Sequence, residues 1–120
     1  MFELTHFATK PSKVLRVILV YEYICSNLSE KLTISGIAAH FQISPTTLKE
    51  EFRARYGLPI SSCIRNMRIQ NAIQLLTQTD KSVIEIANTC GYENPSKFSS
   101  AFRKLTGSSP SAYREAHRFP

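Results

Sequence analysis

A long internal repeat constrains this chain more than any other feature of its sequence. One stretch reads TISGIAAHFQISPTTLKEEFRARYG from Thr33, and another reads SVIEIANTCGYENPSKFSSAFRKLTG from Ser82. The two align at an offset of 49 residues, with Ile37-Ala38 on Ile86-Ala87 and Ile43 on Tyr92. One extra residue, Asn94, moves the offset to 50, so that Pro45 falls on Pro95, Leu48 on Phe98, Phe52 on Phe102, Arg53 on Arg103 and Gly57 on Gly107. A unit that recurs with the same starts, anchors and stops is one supersecondary motif used twice.

The local chemistry of each copy is helical. Serine before proline at Ser44-Pro45 is a favoured helix start, because the donor that proline lacks would be unpaired there anyway. Leu48 and Phe52, spaced i and i+4, give that helix an apolar face, and Gly57 suits its left-handed stop. Thr33 caps a short helix that ends near Phe41. The second copy repeats the pattern: Ser82 and Glu85 form a capping box, Gly91 permits a tight turn, Asn94-Pro95 opens a helix and Gly107 closes it. Between the copies a long helix is expected over 59–78, with Ile60, Ile64, Met67, Ala72, Ile73 and Leu76 turned inward. Residues 13–27 are expected to be helical, with Val14, Val17, Ile18, Tyr21, Ile24 and Cys25 at helical spacing. A last helix runs from Ser109-Pro110 to about His117. Residues 1–12, which include Pro11, read as an arm or linker remnant. The expected fold is all-α with about seven helices. Two helix–turn–helix lobes, about 13–58 and 79–118, are joined by the long linker helix.

At 120 residues the chain is one compact unit, or two very small ones sharing a connector, and 42% hydrophobic content supplies a core. A net charge of +6 favours a polyanionic partner. Cys25, Cys63 and Cys90 are odd in number, widely spaced and lie in apolar segments, so all three are expected to be buried thiols in a reducing, cytoplasmic setting. No spacing offers a zinc site, and neither a metal nor a cofactor is expected. The longest apolar run, residues 17–21, is far too short to span a membrane. Enzymatic chemistry is poorly served: His6, His40 and His117 lie in different segments, with only Asp80 and scattered glutamates to partner them. His40, at the end of a short helix, reads as a cap or surface residue.

In a helix–turn–helix, two helices are held at a fixed angle so that the second enters the major groove of DNA. A small residue is needed where the helices meet, and Ala38 and Ala87 provide it. An apolar residue after the turn must pin the pair, a role for Ile43 and Tyr92. The second helix of each copy must then be polar on its other faces. In the first copy those faces carry Thr46, Thr47, Lys49, Glu50 and Arg53; in the second, Ser96, Lys97, Ser99, Ser100, Arg103 and Lys104. Short side chains let the backbone approach base edges, while Lys and Arg reach phosphates. A linker of about 18 residues is a rod of roughly 27 Å. Successive major grooves on one side of a duplex lie ~34 Å apart, so one chain is expected to serve two of them.

These residues resemble the DNA-binding domain of AraC/XylS-type bacterial transcription regulators. The resemblance covers about residues 13–118. It is most specific over SVIEIANTCGYENPSKFSSAFRKLTGSSPSAYR and extends to Arg68, Ala72 and Leu75-Leu76 of the linker. It implies a seven-helix domain whose two recognition helices enter successive major grooves. Base-edge contacts would come from Thr46, Lys49 and Glu50 and from Pro95, Ser96, Ser99 and Ser100, with Arg103 and Lys104 nearer the phosphates. The helix starts Ser44, Pro45 and Asn94, together with Thr47, Arg53 and Lys97, complete the expected DNA-binding set. Two positions depart from the family pattern, which often has a long donor where Glu50 and Ser100 stand. Glu50 can accept from cytosine N4 or pair with Arg53 along its helix, and Ser100 shortens the second lobe's reach. The resemblance further implies RNA polymerase as a partner, activation as the mode, and a separate sensing or dimerisation domain in a larger regulator. The competing expectation, a helix–turn–helix protein-interaction module with weak or no DNA binding, draws on Glu50, Glu51 and Ser100.

Overall fold

The computed structural model describes residues 12–118. Among them are seven helices and no strands: α1 (Lys13–Ser26), α2 (Ile34–His40), α3 (Pro45–Tyr56), α4 (Ile60–Gln78), α5 (Val83–Thr89), α6 (Pro95–Thr106) and α7 (Pro110–His117). The expected arm, residues 1–12, lies almost wholly outside the described residues. The chain forms two compact units. One holds α1 and Leu32–Ile60; the other holds Asn27–Lys31 and the chain from Ser61 onward.

Local chemistry sets the helix starts. Thr33, Ser44, Ser82, Asn94 and Ser109 each cap a helix by accepting a backbone N–H with the side chain, and Ser82 with Glu85 completes a capping box. Gly57 (φ 81°) and Gly107 (φ 86°) end α3 and α6 in left-handed conformation, each donating 2.8 Å to the carbonyl of Arg53 or Arg103.

The turn inside each motif is also duplicated bond for bond. Ile43 N–H donates to Ala38 O at 3.0 Å and Tyr92 N–H to Ala87 O at 2.9 Å, while Gln42 and Gly91 donate to Ala39 O and Asn88 O at 3.1 Å. Each turn therefore passes through one left-handed residue, Gln42 (φ 58°) in the first copy and Gly91 (φ 91°) in the second. A Cβ on Gly91 would stand 2.2 Å from the carbonyl oxygen of Leu28, so glycine is required there on two counts.

In the first unit, Val17, Val20 and Ile24 of α1 and Ile37 and Ala38 of α2 are buried, as are Leu48 and Phe52 of α3. The second core gathers Ile69, Ala72 and Leu76 of α4, Ile86, Ala87 and Cys90 around α5, and Phe98 and Phe102 of α6. Its rings form a chain, with centroids 5.4 Å apart for Tyr92–Phe98, 5.8 Å for Phe98–Phe102 and 5.4 Å for Phe102–Tyr113.

Three expectations need correction. Val14 and Cys25 are exposed, because the buried stripe of α1 runs through Val17, Val20 and Ile24, with both residues roughly 90–110° round the helix from its centre. The linker helix has two inward faces rather than one. Its first turns bury Ile60, Cys63 and Ile64, and its second half buries Ile69, Ala72 and Leu76, roughly 160° away. Met67 and Ile73 are only half-buried.

Candidate nucleic-acid interface

On α3, Thr46, Lys49, Glu50 and Arg53 are exposed and fall within one sector of the helix, opposite the buried Leu48 and Phe52. Ser44 and Pro45 are exposed at its start. Thr47, also in the expected set, sits differently. It is half-buried and turned back to the cap, where its N–H donates to Ser44 Oγ at 3.0 Å and its hydroxyl lies 2.9 Å from the same oxygen. The ion pair anticipated between Glu50 and Arg53 is not among those of the described residues, which are Arg16–Glu51 and Arg118–Asp80. Glu50 therefore presents its carboxylate on the same face as Lys49.

On α6, Pro95, Ser96, Ser99, Ser100, Arg103 and Lys104 line one open, shallow cleft along the helix. Ser99 is half-buried and the other five are exposed. Asn94 is exposed at the helix start, where its Oδ1 accepts from the N–H groups of Ser96 (2.8 Å) and Lys97 (3.3 Å). Lys97 is exposed but lies outside the cleft, roughly 100° round the helix from Ser96. The face of α6 carries two cations and no carboxylate, whereas that of α3 mixes two cations with Glu50.

Several residues organise the fold through partners that sequence reasoning did not reveal. Arg68 donates from Nε to Leu28 O (3.1 Å) and from Nη2 to Glu30 O (2.8 Å), and its guanidinium sits 5.7 Å from the Tyr92 ring centroid. Arg114 donates to the carbonyls of Leu76 (3.1 Å), Thr79 (3.2 Å) and Lys81 (2.7 Å). Each arginine ties down the connection that leads into the first helix of a motif. Glu51 is held by Arg16 of α1 and is not on offer to a partner. These contacts bridge 33 or more residues, so no local pattern announces them.

Little else in the described residues offers chemistry. His40 stacks on Tyr23 at 4.2 Å and His117 on Tyr113 at 4.0 Å; His6 lies outside the described residues. No three His, Cys, Asp or Glu side chains among the described residues gather as metal ligands. Burial pushes the Cys90 thiol up to about 11, with nearby Arg68 opposing the shift, and it also raises the Tyr92 phenol. Cys63 and Cys90 are buried as expected; Cys25 is not.

The sequence pattern of the family described as "Helix-turn-helix domain" matches residues 37–116. The melibiose operon regulatory protein of Escherichia coli (strain K12) is 36% identical over 93 residues, which is 78% of this chain and 31% of that protein. The chain thus spans about a third of the length of such relatives. Among solved structures, the C-terminal domain of AraT, a response regulator from Geobacillus stearothermophilus, superposes with a TM-score of 0.87 at 28% identity, covering 93% of this chain and 92% of that one. The DNA-binding domain of AdpA, a global transcriptional factor solved in complex with a target DNA, gives a TM-score of 0.81 at 32% identity, covering 84% and 91%.

Proposed function

The chain belongs to the AraC-type helix–turn–helix family, and from that premise we propose that it is a sequence-specific, duplex-DNA-binding transcription regulator. The family is one of regulator DNA-binding domains rather than an enzyme class. Residues 13–118 act as the DNA-binding domain, and α3 and α6 enter successive major grooves. The carrying observation is that α3 and α6, each started by a side-chain cap followed by proline and each stopped by a left-handed glycine, both turn outward a polar face with two exposed cations, Lys49 and Arg53 on α3 and Arg103 and Lys104 on α6.

The two faces do different work. Lys49 and Glu50 on α3, with Thr46, read base edges: lysine suits guanine O6/N7 and glutamate suits cytosine N4–H2. On α6, Ser96, Ser99 and Ser100 bring the backbone close to the groove while Arg103, Lys104 and Lys97 hold phosphates. Arg53, Ser44, Pro45, Thr47 and Asn94 contribute through the phosphate backbone and the helix starts. The protein acts in the cytoplasm, as an activator that contacts RNA polymerase, with sensing or dimerisation supplied by a further domain. No described helix is long and apolar enough to cross a membrane.

Binding to a labelled duplex across a salt series tests this. Neutralising ~6 phosphates gives a log–log salt slope near −5. Affinity that stays flat from low to moderate salt would remove the DNA-binding function.

A further inference from the structure

The two units hold their outward-facing helices in different ways. On α1 the buried triplet Val17, Val20 and Ile24 is spaced like Ile69, Ala72 and Leu76 on α4, which makes Arg16 the counterpart of Arg68. Arg68 spends its donors on the carbonyls of Leu28 and Glu30. Arg16 grips the recognition helix itself: its Nε donates to Glu51 Oε1 at 3.0 Å and its Nη2 to Glu51 Oε2. Both side chains are only 14% exposed. In α6 the counterpart of Glu51 is Ala101, which packs against the second core and offers no acceptor.

Apolar anchoring through Leu48 and Phe52 is non-directional and tolerates small rotations of α3 about its axis. A two-pronged guanidinium–carboxylate contact is directional and fixes that rotation. Glu51 lies roughly 150° round α3 from the centre of the face carrying Thr46, Lys49, Glu50 and Arg53, so Arg16 is kept from that face. We propose that Arg16 is a positioning residue for base recognition: through Glu51 it sets the angle at which α3 presents Lys49 and Glu50 to the groove.

This inference rests on the DNA-reading function above, and its test separates the two. Removing one partner alone would strand a largely buried charge and confuse positioning with stability. The informative variant is therefore the apolar pair Arg16→Met/Glu51→Leu, which keeps volume and gives up direction. Arg16→Lys, which keeps the charge but lacks the fork, is the second variant. Wild type and both variants are taken through selection of bound sites from random duplexes, with thermal unfolding and salt slope measured alongside. The expected result is about tenfold weaker discrimination at the base pairs facing α3 in both variants, the size of one good base contact, with the salt slope unchanged. Undiminished discrimination in whichever variants remain folded overturns the positioning role while leaving the function intact. A wild-type protein that selects no sequence removes both.

Discussion

At equivalent points of the two motifs the chain turns through Gln42 at φ 58° and through Gly91 at φ 91°. The backbone demands a left-handed residue in both places, yet only one copy meets the demand with glycine. In the second unit a neighbour decides the matter, since the Leu28 carbonyl leaves no room for a Cβ on Gly91. The first unit accepts the conformational cost of a side chain at Gln42 and holds α3 with Arg16–Glu51 as well as with Tyr56, whose ring lies 4.7 Å from that of Phe52 and 4.8 Å from that of Tyr21 on α1. The second holds α6 with a chain of rings from Tyr92 to Tyr113. One duplicated plan has diverged in how it is held together, and the outward faces have diverged with it.

The largest effect should come where the copies are still alike. Phe52→Ala and Phe102→Ala each empty a fully buried site, at ~3–5 kcal/mol, and each should melt its own unit in thermal unfolding. Equal loss of both units from either variant would mean that the two cores do not stand separately.

The turn residues should split the copies. Gly91→Ala combines left-handed strain of about 1–2 kcal/mol with the clash at Leu28 O, and should clearly lower the denaturation midpoint. Gln42→Gly relieves that strain but adds about 0.5–1 kcal/mol of unfolded-chain entropy, so its net effect should be small and favourable. A destabilising Gln42→Gly would show that the Gln42 side chain contributes contacts that offset its backbone strain.

The outward faces should separate next. Lys49→Ala should lower sequence preference, whereas Lys104→Ala should weaken binding to all duplexes alike and reduce the salt slope by about 1. Loss of preference from Lys104→Ala instead would reverse the roles given to α3 and α6. The smallest effect is chemical. At pH 8 an alkylating reagent should modify Cys25 well before Cys90, because the thiolate is the nucleophile and burial holds the Cys90 thiol up near 11. Cys25 is itself raised, by partial burial and then by Glu22, so its reaction should be slow but measurable by mass spectrometry.

What the sequence made legible follows from the range over which each feature acts. Caps such as Ser44, Ser82 and Asn94 work within three residues, so the helix starts could be read directly, as could the Gly57 and Gly107 stops. The single inward face expected of the long helix failed because α4 buries Ile60, Cys63 and Ile64 on one side and Ile69, Ala72 and Leu76 on the other, and one period cannot describe both. Cys25 was misplaced for a related reason, since an apolar residue at the margin of a stripe looks like part of it. The contact between the Ser44 and Thr47 hydroxyls, by contrast, depends on rotamers that no spacing rule reveals. The Arg16–Glu51 pair carries no sequence signature, and Arg68, though part of the family pattern, gave no hint of its partners about 40 residues away.

The central claim, an α3 that reads bases beside an α6 that anchors, is tested most directly by the base-by-base information content of sites that wild-type protein selects from random duplexes. The account predicts two segments about one helical turn apart, one strongly preferred and lost in Lys49→Ala, the other nearly indifferent to sequence. Two equally informative segments, or a preference that disappears with Ser99→Ala and survives Lys49→Ala, would contradict it.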